Sequence, residues 1–178
     1  AERMEFGYKI PLFINGKEKS TASYGLSLNP AHASQVVAEF ACADKVDVET
    51  AVKAADEAFP EWARTHVKGR AKLLRKTADI LRSRRFELAA LEVFEVGKPW
   101  READSDVCEA IDYLEYYAAE AVEFFEKRPT EKLIHESNFT WPEPRGVSAI
   151  IAPWNFPLAI FTGMSAAALA SACLPADQ

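Results

Sequence analysis

The chain has 178 residues, of which 49% are hydrophobic and 27% are charged. This composition is typical of a soluble globular protein with one domain, or with one domain and appendages. The formal charge of −6 and the isoelectric point near 5.2 argue against a nucleic-acid partner, because nucleic-acid-binding proteins normally carry a basic patch.

The three cysteines, Cys42, Cys108 and Cys173, have neither the spacing of a disulfide framework nor that of a metal site. We therefore expect free thiols in a reducing compartment and no bound metal. Residues 1–7 lack the apolar stretch of a secretory signal. Together these observations predict a cytoplasmic protein.

The N-terminal forty residues predict short strands and turns. An apolar run at residues 12–14 precedes Asn15-Gly16, which is a strong hairpin signal. Asn29-Pro30 marks a second turn, and residues 35–41 have the composition of a strand. We expect an antiparallel β arm ahead of a helical region.

The next sixty residues predict three helices. Asp44 is a good N-cap for the first, and Pro60 is expected to end it. The second covers about residues 69–83 and the third about residues 86–96, with Gly97-Lys98-Pro99 as its exit. The apolar positions expected to face the core from the first helix are Val48, Val52, Ala55 and Phe59.

A fourth helix is predicted from about residue 102 to residue 127, with a continuous apolar stripe along one face. On another face Glu109, Tyr113 and Tyr116 recur at helical spacing, which brings a carboxylate and two phenol rings together. From the pattern alone this is either a partly exposed tyrosine face with a surface glutamate or part of a site.

Residues 133–144 follow the helix and predict exposed or edge strands. Such a ribbon is either an interaction element or a plain connecting hairpin, and the pattern does not decide between them.

No charged side chain occurs between Gly146 and Ala176. The stretch exceeds the ~20 residues of a membrane helix, but Pro153 and Pro157 would break a helix there, so a buried core is favoured. We expect a strand over residues 146–152, a turn, and a helix over residues 158–172.

Asn155 is the most polar group in this uncharged stretch. A buried amide must be hydrogen-bonded or it costs a few kcal/mol. The turn also lies at the carboxyl end of the predicted strand, where ligands bind in open α/β sheets. We therefore predict that Asn155 belongs to a functional site and is flanked by Trp154 and Phe156, which are either site walls or core aromatics.

Together these segments resemble the N-terminal part of the NAD(P)-dependent aldehyde dehydrogenases. The motifs that carry the resemblance are residues 14–17, 29–31, 54–62, 70–74, 95–99 and 153–157. Residues 105–118 and 159–164 are similar to one branch, the 1-pyrroline-5-carboxylate (glutamate γ-semialdehyde) dehydrogenases.

The resemblance implies an α/β fold with a β arm at residues 1–43 and a helical part of the cofactor domain at 44–128. It further implies oligomerisation strands at 129–145, and hence a homo-oligomer, followed by the start of a Rossmann-like NAD-binding sheet at 146–178. The implied activity is NAD-dependent oxidation of glutamate γ-semialdehyde to glutamate in proline breakdown.

The resemblance also assigns roles to single residues. Asn155 would donate its side-chain amide to the oxyanion formed when a thiolate attacks the aldehyde. The stretch Ile151, Ala152, Pro153 and Trp154 would line the nicotinamide and ribose region, while Glu109 and Phe156 would border the aldehyde.

Residues 170–178 depart from the family, in which a lysine-bearing strand follows the helix. In the family the nucleophilic cysteine and the general-base glutamate lie farther along the chain, and neither Cys108 nor Cys173 is at their position. We therefore expect these 178 residues alone to be inactive. The alternatives are a non-catalytic interaction module derived from such an enzyme and, on the uncharged run alone, a membrane-anchored protein.

Overall fold

The computed structural model of the chain describes residues 6–131, 133–172 and 174–176. The expectations for Cys173 and for the segment before Phe6 lie outside the described residues. The strands are Tyr8–Ile10 (β1), Leu12–Ile14 (β2), Lys17–Lys19 (β3), Tyr24–Asn29 (β4), His32–Ala41 (β5), Arg128–Pro129 (β6), Phe139–Thr140 (β7), Val147–Ala149 (β8) and Leu174–Ala176 (β9). The helices are Lys45–Arg64 (α1), Val67–Ser83 (α2), Arg85–Val96 (α3), Trp100–Phe124 (α4) and Ala159–Ala170 (α5).

The predicted arm is present, with one difference in its pairing. β2 and β3 form an antiparallel hairpin, and its two turn residues have the positive φ that a type I′ turn requires, 52° at Asn15 and 70° at Gly16. β4 and β5 are also antiparallel, but β1 pairs with β5 in parallel. The expectation of a wholly antiparallel arm is therefore wrong at its first strand.

α1 begins where the sequence predicts and ends later. Asp44 accepts a hydrogen bond from the Asp47 amide in a reciprocal capping box. The helix then continues through Pro60 to Arg64, so the prediction that Pro60 ends it is wrong. An interior proline costs about 3 kcal/mol, and Trp62, in the turn beyond it, donates a hydrogen bond to the Leu169 carbonyl of α5 that favours the longer helix.

The predicted core face of α1 is only partly buried. Val48 and Val52 are exposed and Ala55 and Phe59 are half-buried, whereas Asp47 and Ala51 are buried. Lys19 of β3 lies 2.5 Å from the Asp47 carboxylate, so the arm contacts the helix partly through a polar bridge.

The core lies between α2, α3, α4 and α5 and is rich in alanine. The predicted stripe of α4 is buried at its centre, and small side chains let the other helices pack closely against it. The buried core residues are Ala71, Leu74, Ala78, Ala89, Ala103, Val107, Ile111, Leu114, Ala118, Ala121, Ala166 and Ala170. Gly97 ends α3 in the left-handed conformation, with φ 71°.

The segment after α4 contains a short antiparallel ribbon of β6 and β7. The last unit is β8, a turn, α5 and β9, in which β8 and β9 pair in parallel. This is a βαβ unit and hence the beginning of a parallel sheet, as the family resemblance implies. Across the described residues no helix is long and apolar enough to cross a membrane.

Candidate functional site

The turn between β8 and α5 presents Asn155 to the surface. The strand ends at Ala149 and the helix begins at Ala159, so the turn lies at the carboxyl end of a strand in a parallel pair. Asn155 is exposed, and the exposed fractions of Ile151 and Trp154 are 78% and 77%. A buried, hydrogen-bonded amide, the case considered from the sequence, is therefore not what this structure shows.

A groove of about 650 Å³ lies beside this turn. One wall is formed by Trp154, Asn155 and Phe156, and the other by the α3–α4 connection and the first turns of α4, including Glu109. The structure thus brings Glu109 close to Trp154, Asn155 and Phe156, which lie 45 or more positions later in the chain and were assigned with it to a site. Ile151, Ala152 and Pro153 lie just upstream and do not line the groove.

A buried cluster of charged residues lies at the base of the groove. The Lys98 ammonium is 3.1 Å from Asp106 Oδ1 and 3.4 Å from Glu92 Oε2. All three side chains are at most 10% exposed. Within the described residues, the Lys98 nitrogen, both Glu92 oxygens and Asp106 Oδ1 have no well-aligned hydrogen bond, so the contacts of Lys98 are electrostatic rather than directed hydrogen bonds.

The carboxyl group of Glu92 has an altered acidity. Burial first, and then the neighbouring Asp106 carboxylate, raise the pKa of Glu92 to about 8, against the lowering effect of Lys98. At neutral pH Glu92 therefore holds its proton. The positive charge of Lys98 is then balanced mainly by Asp106.

Asp106 also caps the helix that follows the turn. Its Oδ2 accepts hydrogen bonds from the backbone amides of Leu158, at 3.3 Å, and Ala159, at 3.2 Å. α5 has no side-chain cap of its own at this end. A carboxylate on α4 therefore satisfies the first amides of α5 and is favoured there by the helix dipole.

Lys98 contacts the turn directly. Its ammonium lies 4.4 Å from the centre of the Phe156 ring, within the range of a cation–π interaction. Both contacts between the turn and the charged cluster follow Asn155 in sequence, at Phe156 through Lys98 and at Leu158 through Asp106.

Glu109 is exposed and interacts with Tyr113 on the same helix. Its hydrogen bond with Tyr113, one turn later, raises the pKa of the Tyr113 hydroxyl, as does its charge. The Tyr113 ring packs on Gly163 so closely that a Cβ there would be 2.8 Å from a ring carbon. The third member of the predicted face, Tyr116, is 56% exposed, and Tyr117 instead stacks on Tyr113 with ring centres 6.1 Å apart.

The sequence reasoning did not identify the charged cluster. The sequence places Lys98 in a helix exit and in a family motif, and no pattern singles out Glu92 or Asp106. A signal was present, because Asp106 lies between Ala103 and Ala110 on the buried stripe of α4. A charged residue at such a position needs a partner, but its identity depends on the packing of α3 against α4.

This arrangement offers two kinds of chemistry. The exposed Asn155 amide can donate hydrogen bonds to a developing negative charge, and the groove offers a carboxylate at Glu109. Within the described part of the chain, the groove is lined by no cysteine, and no cluster of side chains is suited to a metal ion. Cys42 and Cys108 are free thiols, as expected.

Comparison with known proteins connects this geometry to relatives. The 1-pyrroline-5-carboxylate dehydrogenase of Geobacillus thermodenitrificans is 44% identical over 165 residues, which cover 93% of this chain and 32% of the relative. The enzyme of that name from Staphylococcus saprophyticus is 43% identical over 163 residues, covering 92% of this chain and 32% of the relative. The chain therefore spans about a third of the length of these curated relatives.

Solved structures of proteins with related names also match this chain. A Thermus 1-pyrroline-5-carboxylate dehydrogenase with bound NAD superimposes with a TM-score of 0.89 at 41% identity, covering 96% of this chain and 33% of that one. Proline utilization A from Bdellovibrio bacteriovorus gives a TM-score of 0.93 at 39% identity, covering 94% of this chain and 18% of that one. These matches confirm the predicted fold class.

The family model described as the aldehyde dehydrogenase family matches residues 17–174. The resemblance noted in the sequence is therefore confirmed, and the chain belongs to the aldehyde dehydrogenase family.

Proposed function

We propose that the protein containing this chain is an NAD-dependent 1-pyrroline-5-carboxylate dehydrogenase that oxidises glutamate γ-semialdehyde to glutamate. The observation that carries the proposal is the groove, whose lining includes the Asn155 amide on one wall and the Glu109 carboxylate on the other. Relatives bearing that enzyme name are about 44% identical across nearly the whole chain.

The residues present fit a nicotinamide cofactor. The turn lies at the carboxyl end of β8 in a parallel pair, and the exposed apolar side chains of Ile151 and Trp154 offer a surface for flat rings. Ile151, Ala152, Pro153 and Trp154 would hold the nicotinamide and ribose region. When bound, NAD accepts the hydride removed from the aldehyde carbon.

The proposed role of Asn155 is electrostatic. Addition of a thiolate to the aldehyde carbon converts the carbonyl oxygen into an oxyanion, and an amide donor placed beside that oxygen stabilises the charge as it develops. The exposure of Asn155 toward the groove leaves its amide hydrogens accessible to such an oxygen. The thiolate and the general base would come from the part of the protein that these residues do not include, so the 178 residues alone are expected to be inactive.

Glu109 is proposed to shape the aldehyde end of the groove together with Phe156. It interacts with Tyr113, which is itself packed against Gly163 of α5. A carboxylate at this position can discriminate between aldehydes by charge and hydrogen bonding.

The ribbon is proposed to mediate a homo-oligomer, in a protein that works in the cytoplasm. Several apolar side chains of residues 129–145 are exposed, with Ile134 at 87% and Phe139 at 51%. Exposed apolar groups on a short two-stranded ribbon favour burial against another copy. A plain hairpin would not need them.

The proposal is tested by NADH formation at 340 nm in the full-length protein, with glutamate γ-semialdehyde and propanal as alternative substrates. We expect a higher kcat/KM for the semialdehyde, and we expect Glu109→Ala to reduce that preference more than it changes the KM for NAD. Equal kcat/KM values for the two aldehydes would contradict the proposed substrate, and absence of NADH formation with either would contradict the activity.

A further inference from the structure

We propose that Lys98 is a positioning residue for Asn155, in which an ammonium clamped between two buried carboxyl groups fixes the turn that carries the amide. The inference rests on the proposed role of Asn155 as an oxyanion donor. Lys98 lies beneath the turn and acts through Phe156 and Asp106.

The contacts form a continuous path. Lys98 lies 3.1 Å from Asp106 Oδ1, and the other oxygen of that carboxylate accepts the amides of Leu158 and Ala159. The same ammonium also lies 4.4 Å from the centre of the Phe156 ring. The turn is therefore fixed at the residue after Asn155 and again at the start of α5, and both contacts involve one cluster.

The free-energy cost of burying this charged cluster supports a functional role for it. Removing charges from water is unfavourable unless pairing and hydrogen bonding compensate, and an apolar replacement is often as stable as a buried ion pair. Here four buried polar atoms lack well-aligned hydrogen bonds among the described residues. Such a cluster does not maximise stability, and its location at the base of the groove points to positioning of the turn.

The charge state of the cluster is consistent with this role. The raised pKa of Glu92 leaves that carboxyl group protonated at neutral pH, and the charged groups acting on it are Asp106 and Lys98. Lys98 and Asp106 then form a balanced pair, with Glu92 as a neutral neighbour. The ammonium can therefore remain close to Phe156 without being drawn toward a second full negative charge.

The first experiment is a double-mutant cycle of Lys98→Met and Asn155→Ala in the full-length protein, read as kcat at saturating aldehyde and NAD. A misplacement of about 1 Å can reduce a rate by about a hundredfold, so we expect Lys98→Met to lower kcat by between about ten- and a hundredfold. In the Asn155→Ala background Lys98→Met should have little further effect, because a positioning residue acts only through the group it positions.

Hydrogen–deuterium exchange provides the structural readout. Peptides covering residues 150–158 should exchange faster in Lys98→Met than in wild type. The matched control is Lys127→Met, which removes a similar lysine–ring contact, 4.6 Å from Trp141, outside the groove. It should leave both kcat and exchange in residues 150–158 unchanged.

If Lys98→Met does not fold, Phe156→Leu removes the ring above the ammonium while leaving every charge paired. It should accelerate exchange in the same peptides, and exchange is the readout here because Phe156 is itself proposed to border the aldehyde. An unchanged exchange rate in the folded variants, or additive effects of Lys98→Met and Asn155→Ala on kcat, would overturn the inference. An unchanged kcat in Asn155→Ala alone would instead refute the proposed role of Asn155, and the exchange data would still decide whether Lys98 fixes the turn.

Discussion

The two ends of α5 are held by different chemistry. At the N-terminal end a buried carboxylate, Asp106, accepts two backbone amides and is paired with Lys98. At the C-terminal end the donors are side chains: Trp62 Nε1 donates to the Leu169 carbonyl at 3.2 Å, and Arg70 Nε donates to the Ala170 carbonyl at 3.1 Å. Both arrangements provide hydrogen-bond partners for backbone groups at the helix ends that have none within the helix. The negative Asp106 at the N-terminal end and the positive Arg70 at the C-terminal end also interact favourably with the helix dipole.

The difference lies in what each end can do besides hold the helix. The C-terminal end is served by aligned hydrogen bonds, and Arg70 also lies over the Phe125 ring at 5.5 Å. Burial lowers the pKa of Arg70, but an arginine remains charged at any pH at which the protein works. The N-terminal end is ionisable and poorly hydrogen-bonded, and it adjoins the groove. We infer that the C-terminal end of α5 has a structural role, whereas the N-terminal end supports the chemistry of the groove.

The largest expected effect is at the N-terminal end. Asp106→Ala would leave the Lys98 ammonium without its main partner and expose two helix amides to an apolar surrounding. Removing one member of a buried ion pair costs about 3–5 kcal/mol. Urea unfolding of the full-length protein should show a loss of that order in the free energy of unfolding, and a loss below about 1 kcal/mol would show that the pair contributes little.

At the C-terminal end we expect a somewhat smaller loss. Arg70→Met keeps the apolar stem but removes the bonds to the Ala170 and Thr65 carbonyls. Hydrogen bonds to charged groups contribute about 1.5–3 kcal/mol each, with losses that overlap at one residue. Urea unfolding should give a loss of about 2–3 kcal/mol. A loss equal to or greater than that of Asp106→Ala would reverse the ranking of the two ends.

The third prediction concerns pH, on which only the N-terminal end is expected to depend. An unfolded Glu92 titrates near 4.5, whereas the folded one titrates near 8. Between these values unfolding releases a proton, so the free energy of unfolding falls as pH rises, by up to about 1.4 kcal/mol per unit from this group. Glu92→Gln should remove that slope in urea unfolding measured between pH 5 and pH 8.

The control for this prediction is Arg70→Met, whose pH dependence over the same range should match that of wild type. If Glu92→Gln retains the full wild-type slope, then another group is responsible, and Glu92 titrates normally in the folded protein.

Local signals predicted much of the fold. Asn15-Gly16 requires positive φ at both turn residues and produced the expected hairpin. Gly97 ended its helix in the expected left-handed conformation. The apolar strand, the prolyl turn and the small-residue helix around Asn155 are present as β8, the turn and α5. Each of these features is determined by residues adjacent in sequence.

The features that the sequence did not reveal depend on distant contacts. α1 continues through Pro60 because Trp62 contacts α5, more than a hundred residues away. β1 pairs in parallel with β5, although the hairpin and β4 lie between the two strands in sequence. The partner of Asp106 was not predictable either, because Lys98 reaches it only when α3 and α4 pack as they do. The assigned roles of Asn155 and Glu109, and the domain boundaries, stay predictions.

The most direct test of the difference between the two ends is kcat in two variants of the full-length protein, Asp106→Asn and Arg70→Met, at saturating glutamate γ-semialdehyde and NAD. Both variants weaken one end of α5, and measurements at a temperature where each is fully folded separate activity from stability. We predict that Asp106→Asn lowers kcat at least tenfold while Arg70→Met retains the wild-type value. Equal kcat in the two variants would contradict the conclusion that chemistry is located at the N-terminal end.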